Sequence, residues 1–138
     1  MPYHQLIYTS RPTIDFTEEI LVEMLNASQK KNAKLGISGL LVLHDGKFIQ
    51  LLEGPKENVR SLYDSIKNDP RHTDLKVELD TETALRAVPS WNMGFTTSCN
   101  LDSKITSQSY FFAFDFVKGL CNMMAGNVDK KLLHLLGS

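Results

Sequence analysis

Cysteine is scarce in this sequence. Only Cys99 and Cys121 are present, far apart and in no CxxC arrangement. That spacing indicates neither a disulfide framework nor a zinc site, and two isolated thiols fit a reducing cytosol. No apolar run approaches the ~20 residues that span a bilayer. The residues after Met1 lack the basic-then-apolar order of a secretion signal, so the chain is expected to be cytoplasmic. Charge of one sign is also missing: net charge is -1 and the pI about 6.4, which gives no electrostatic case for nucleic acid or a membrane as partner. There is no GxGxxG or P-loop, and nothing resembles a nucleophile elbow. His4, His44 and His134 are scattered without ligand spacing, so no metal is expected. Internal repeats and low-complexity linkers are absent.

What is present suits one compact domain. The chain has 138 residues, 42% of them hydrophobic, enough for a core without staples. Residues 3–9 are aromatic and β-branched and read as a first strand, with Leu6 and Tyr8 on one face. A helix follows over 17–32. Asp15 and Glu18 resemble a capping box, and Ile20, Leu21, Met24, Leu25 and Ser28 form its apolar stripe. The run 37–43 is apolar on both faces, as a central strand is. Asp45-Gly46 is a hairpin signal, and 47–53 is the returning strand, with Phe48, Gln50 and Leu52 sharing a face. Gly54-Pro55 opens a second helix, proline in its first turn, with Val59, Leu62, Tyr63 and Ile66 buried. Asp69-Pro70 ends it. Two more strands are read at 75–83 and 91–96.

This βαββαβ order with one extra strand predicts an α+β, ferredoxin-like five-stranded sheet with two helices on one face. The tail from Ser103 onward, with Tyr110, Phe111, Phe112, Phe114, Phe116, Val117 and Leu120, is too apolar to be disordered. It is expected to form C-terminal helices, one over 128–136, on the other face. The division expected is 1–97 for the main domain and 98–138 for the helical extension.

Three polar groups stand where the pattern is apolar. Gln50 lies between Phe48 and Leu52 on its face, Tyr8 shares a face with Leu6, and Asn32 ends the first helix. Strands one and three are neighbours in this fold, so Tyr8 and Gln50 are expected side by side under the helices. A buried Gln has two donors and an acceptor oxygen to satisfy. Either a Tyr–Gln bond in an ordinary core satisfies them in part, as buried polar groups usually find protein partners, or a heteroatom-rich ligand between the helices supplies the rest. Asp69, Arg71 and His72 read first as a charged helix stop, and Trp91 and Met93, on one strand face, as core.

Taken in order, five blocks resemble the signatures of BLUF domains, the sensors of blue light that use FAD. They are Leu6-Ile7-Tyr8-Thr9-Ser10, Asn32 to Leu41, Gly46 to Pro55, Asp69-Pro70-Arg71-His72, and Trp91-Asn92-Met93-Gly94-Phe95. The match covers roughly residues 1–97, and the tail is similar to that of short, stand-alone members. The resemblance implies FAD with its ring between the two helices. Asn32 pairs with the ring's O4/N3 edge, and Gln50 sits between the ring and Tyr8. Arg71 and His72 match the loop at the polar edge, beside Asp69. Ile37 and Phe48 match ring-packing residues, and Met24, Ser28 and Ile66 join them from the helices. Short members often carry an Asn where this chain has Lys31, so either the O2-side contact is altered or Lys31 points to the phosphates.

The resemblance also implies a mechanism. Tyr8 gives an electron to the excited flavin, a proton follows through Gln50, and recombination leaves Gln50 rearranged with the absorption shifted to the red. The net reaction is nil, which makes the chain a switch and not an enzyme, with Trp91 and Met93 of strand five carrying the signal to the tail. A homo-oligomer and an unidentified downstream protein are the partners expected. Two rivals remain at this level: an acylphosphatase-like hydrolase, which wants an arginine cradle that Arg11-Pro12 does not offer, and a colourless interaction module.

Overall fold

A computed structural model describes residues 3–98, 108–121 and 128–137. Its elements run β1 (Tyr3–Pro12), α1 (Glu18–Leu35), β2 (Ser38–His44), β3 (Lys47–Gly54), α2 (Lys56–Lys67), β4 (His72–Thr83), β5 (Gly94–Thr97), α3 (Phe114–Cys121) and α4 (Val128–Leu135). The sheet order is β4-β1-β3-β2-β5. Every pair is antiparallel except β2 with β5. The first four strands have the ferredoxin-like order, and α1 and α2 are the crossovers over a neighbouring strand.

Alternation along the strands divides the core in two. Leu6, Tyr8, Leu41, Phe48 and Leu52 face Leu21 and Leu25 of α1 and Val59 and Leu62 of α2. Ile7, Leu40, Val42, Ile49 and Leu51 face Val117 and Cys121 of α3 and Val128, Leu132 and Leu136 at α4. The C-terminal helices therefore cover the second face, as the apolar tail requires. Tyr110 and Phe111 depart from that division and pack with the core under α1 and α2, where Phe111 bridges Phe95 of β5. Cys99, the residues 103–107 and Gly126-Asn127 lie outside the described residues.

Several local signals act as expected. Asp45 and Gly46 both take positive φ (52° and 71°), the geometry of a tight two-residue hairpin. Gly39 is needed for close approach: a Cβ there would stand 2.2 Å from the Leu51 carbonyl oxygen. Others differ by small steps. Thr17, and not Asp15, caps α1, its side chain accepting from the Ile20 N–H; Asp15 lies too far upstream to reach that turn. Pro55 precedes α2 as its N-cap and does not occupy its first turn.

The larger correction concerns Trp91 and Met93. β5 begins only at Gly94, so neither residue is on a strand, and they do not share a face. Met93 is buried in the core under α1 and α2, while Trp91 packs against the opposite core. The main chain explains this. The Trp91 N–H donates to the Val88 carbonyl and the Trp91 carbonyl accepts from Gly39 N–H, so the chain is turning after Pro89-Ser90 and not laddering. At Gly94 a Cβ would lie 2.8 Å from the Trp91 ring, so only glycine lets the indole fold back over the strand.

Candidate functional site

A groove opens between α1 and α2, with β1 and β3 as its floor. Its inner part is lined by Tyr8, Ser10, Met24, Ser28, Leu41, Phe48, Gln50, Ile66, Asp69, Arg71, His72 and Met93. It continues into a wider cleft of about 500 Å³ bounded also by Glu23, Ala27, Lys31, Asn32, Leu62 and Ser65. Of the residues singled out in the sequence, all but Ile37 and Trp91 line this groove. Ile37 is buried in the same core without reaching it, and Trp91 stands on the other side of the sheet.

The floor is built by register. Tyr8 of β1 lies directly opposite Gln50 of β3, and cross-strand partners on one face are in contact distance. The Tyr8 hydroxyl donates to Gln50 Oε1. That leaves the Gln50 amide, which donates from Nε2 to the Met93 sulfur at 3.4 Å, a weak acceptor. Gln50 is 7% exposed, so its amide has an unmet demand at the groove wall.

Burial pushes the Tyr8 hydroxyl well above its ordinary value, and the nearby Tyr63 and Asp69 push the same way. Tyr8 is therefore a neutral phenol across the whole physiological range. The sign for stability follows: the unfolded chain ionises Tyr8 near its ordinary 10.0 while the folded chain does not. Stability is full below that pH and falls as pH rises above it. Melting temperature measured from pH 8 to 11 is expected to fall more steeply for the unaltered chain than for Tyr8→Phe; parallel curves would deny Tyr8 this part.

The rim is polar and internally paired. Arg71 clasps Asp69 in a forked pair, Nη2 to Oδ2 at 2.6 Å and Nε to Oδ1 at 3.0 Å. The hydrogen bond from Arg71 holds the Asp69 carboxyl below its usual value and raises that of Arg71. His72 bonds the Ile66 carbonyl through Nε2 at 2.7 Å and Ser10 Oγ through Nδ1 at 2.9 Å. A carbonyl only accepts, so Nε2 is the donor in the first of these bonds. Lys31 is exposed at the mouth.

Sequence reasoning did not find the groove's hold on the chain around Met93. Asn32 Nδ2 donates to the Asn92 carbonyl at 2.6 Å, and Gln29 Nε2, one turn earlier, donates to the Met93 carbonyl at 3.0 Å. Glu53 accepts the N–H groups of Ala87 and Val88. Trp91 stacks on Phe112 (4.2 Å, 20°), which stacks on the exposed Phe116 (6.1 Å, 22°). A polar Gln at helical spacing from Asn32 was the only signal available for the Gln29 contact. Arg11, central to the hydrolase alternative, is exposed and pairs with Asp74 at 3.8 Å, forming no anion cradle. No group of three or more His, Cys, Asp or Glu able to hold a metal occurs among the described residues, and none of the described helices is long and apolar enough to cross a membrane.

The donor set suits a flat, heteroatom-edged ring. Phe48, Met24 and Ile66 offer apolar contact, Asn32 and Gln50 offer amides at one side, and Arg71, Ser28 and Lys31 offer donors toward the mouth. The half-satisfied Gln50 amide is the observation that favours a ligand.

Comparison with known proteins identifies the family. Residues 3–94 match the family described as "BLUF: Sensors of blue-light using FAD". The chain is 36% identical over 93 residues to photoactivated adenylate cyclase subunit beta of Euglena longa, covering 67% of this chain and 11% of that protein. It is 38% identical over 74 residues to the blue light- and temperature-regulated antirepressor BluF of Escherichia coli, covering 54% of this chain and 18% of that one. The chain thus spans less than a fifth of these curated relatives. Among solved structures it resembles BlrB, a BLUF protein in its dark state, with a TM-score of 0.67 and 29% identity over 70% of this chain and 73% of that one. It shares its fold with the photo-activated state of BlsA, with a TM-score of 0.68 and 23% identity over 97% of this chain and 94% of that one.

Proposed function

Because the chain belongs to the BLUF family of blue-light sensors, which bind FAD, we propose that it is a light switch driven by the Tyr8–Gln50 pair and read out through the 86–93 segment and the tail. The observation that carries this reading is the Tyr8 hydroxyl donating to Gln50 Oε1 in the floor of the groove. The domain is a sensor and not an enzyme.

Asn32 and Gln50 would hold the ring edge, Phe48, Met24 and Ile66 its faces, and Ser28, Lys31 and Arg71 the polar remainder. Bound flavin supplies the absorption of blue light and an excited state that accepts an electron. Tyr8 is the donor. A neutral phenol is a proton source only once it is oxidised, and its hydrogen bond already points that proton at Gln50. Gln50 relays because one end of its amide accepts while the other donates. Turning over, the Gln50 amide would exchange the group it presents to Tyr8 for the one it presents to Met93.

A turned amide changes what Met93 meets, which supports Met93 as the first residue to respond. The route outward is the 86–93 segment, then the Trp91–Phe112–Phe116 stack, whose last ring is 52% exposed. A second copy of the chain and a downstream signalling protein are the partners that such an exposed end would serve. The test of the whole reading is direct: the purified protein is expected to be yellow and blue light to shift its absorption reversibly to the red, and a colourless protein would overturn the reading.

Asn32 and Trp91 separate binding from signalling. Asn32→Ala removes a buried partner of the ring edge at a cost of about 1–3 kcal/mol, or up to a hundredfold in affinity. Trp91→Ala, outside the groove, leaves flavin content unchanged. The flavin-to-protein ratio after gel filtration checks this, and equal ratios in the two variants contradict the assignment.

A further inference from the structure

The segment that bears Met93 is neither strand nor helix; Glu53 and Gly39 hold its earlier part, and its end is anchored from α1. Gln29 Nε2 donates to the Met93 carbonyl at 3.0 Å. The same residue's sulfur is the acceptor of the Gln50 amide at 3.4 Å. Gln29 itself is half-buried and does not line the groove. Its amide thus reaches, through one residue's main chain, the side chain that Gln50 must push past in order to turn.

We propose that Gln29 is a positioning residue of the switch: by anchoring the Met93 main chain it holds the Met93 sulfur against Gln50 and so sets how long the light-induced arrangement lasts. This rests on the reading of Tyr8 and Gln50 as the photoactive pair. Protein interiors are close-packed, so an amide rotates only if its neighbours yield. Met93 is 1% exposed, and a thioether chain yields most readily when its own backbone is free to move. With the anchor in place the turned Gln50 is penned in. Without it the barrier to turning back falls. Asn32 anchors the adjacent Asn92 carbonyl but also faces the groove, so its variants mix binding with positioning; Gln29 isolates the second effect.

The experiment is dark recovery of the red-shifted state, followed by absorption in the FAD-loaded protein. Gln29→Met keeps the bulk without the donor, and Gln29→Glu keeps the shape but opposes a carboxylate to a carbonyl. Both are expected to keep the unaltered chain's flavin content and size of red shift, to recover at least about threefold faster, and to do so most in Gln29→Glu. In a Met93→Leu background, where the sulfur is gone, Gln29→Met is expected to add nothing further. That non-additivity is what a merely structural role would not produce. Unchanged or slower recovery in a variant with full flavin content overturns the inference, as does full additivity with Met93→Leu. Both results leave the sensor reading standing, whereas absence of a red shift in the unaltered chain overturns that reading and this inference with it.

Discussion

Gln50→Leu is expected to yield a folded, yellow protein with no reversible red shift under blue light. Leucine preserves most of the bulk, so packing in the floor of the groove changes little, and the ring keeps its contacts with Asn32, Phe48 and Met24. What is lost is both halves of the relay: the oxygen that accepts from Tyr8 and the amide that faces Met93. Tyr8→Phe is expected to give the same silence for a different reason, since the phenyl ring has no proton to follow the electron. Each change leaves one buried polar group without its partner, a cost of about 1–3 kcal/mol, so a modest drop in melting temperature accompanies both. The light-minus-dark spectrum is the deciding measurement. A purely structural pair predicts the lower melting temperature with an intact photocycle, and a red-shifted, dark-reverting state in Gln50→Leu would refute the relay.

Glu53→Leu is expected to be the most destabilising single change in the sheet. Glu53 is fully buried and accepts from four donors: Gln5 Nε2 at 3.0 Å, Ser38 Oγ at 3.3 Å, and the N–H groups of Ala87 and Val88 at 2.8 and 2.6 Å. Ser38 in turn accepts from Arg86 Nη1 at 3.0 Å, so the buried charge has a cation one hydrogen bond away. Leucine fills the space but strands two backbone N–H groups and the Gln5 amide. Leaving buried donors without an acceptor costs about 1–3 kcal/mol each, together a large share of the roughly 5–15 kcal/mol that holds a domain. For a chain of this length that is a fall of roughly 10–20 °C in melting temperature. Glu53→Gln keeps one acceptor oxygen and is expected to lose about half as much. Because Trp91 is the only tryptophan and sits in the segment that Glu53 holds, its fluorescence reports the same event. A fall of less than about 1 kcal/mol in Glu53→Leu would show that the carboxylate is dispensable.

The pairing of Tyr8 with Gln50 was legible before any coordinates because it rests on two local periods. Strand alternation put Tyr8 with Leu6 and Gln50 with Phe48 and Leu52, and the order of elements made strands one and three neighbours. The helix period likewise placed Met24 and Ser28 along α1, and Ile66 on α2, where the groove lies, while Lys31 and the ring-edge part of Asn32 came only from the resemblance. The hairpin at Asp45-Gly46 was legible because positive φ at both positions is chemistry of those two residues alone.

The 86–93 segment was not legible, and the reason is physical. It has no period, so no pattern assigns its side chains to a face. The expectation that Trp91 and Met93 lie together came from extending strand alternation into a stretch that turns. Its conformation is set by contacts between residues far apart in the chain: Gln29 with Met93 across 64 positions, Asn32 with Asn92 across 60, and Glu53 with Val88 across 35. Periodicity reports which side of an element is buried, because that depends only on neighbours along the chain. The sequence by itself therefore determined the first four strands, the two crossover helices, their faces and the polar pair in the floor of the groove. Only the tertiary structure decided the exact register of Tyr8 against Gln50, the splitting of Trp91 and Met93 to opposite cores, and the side chains that hold them there. Those depend on where distant segments meet once the sheet has closed.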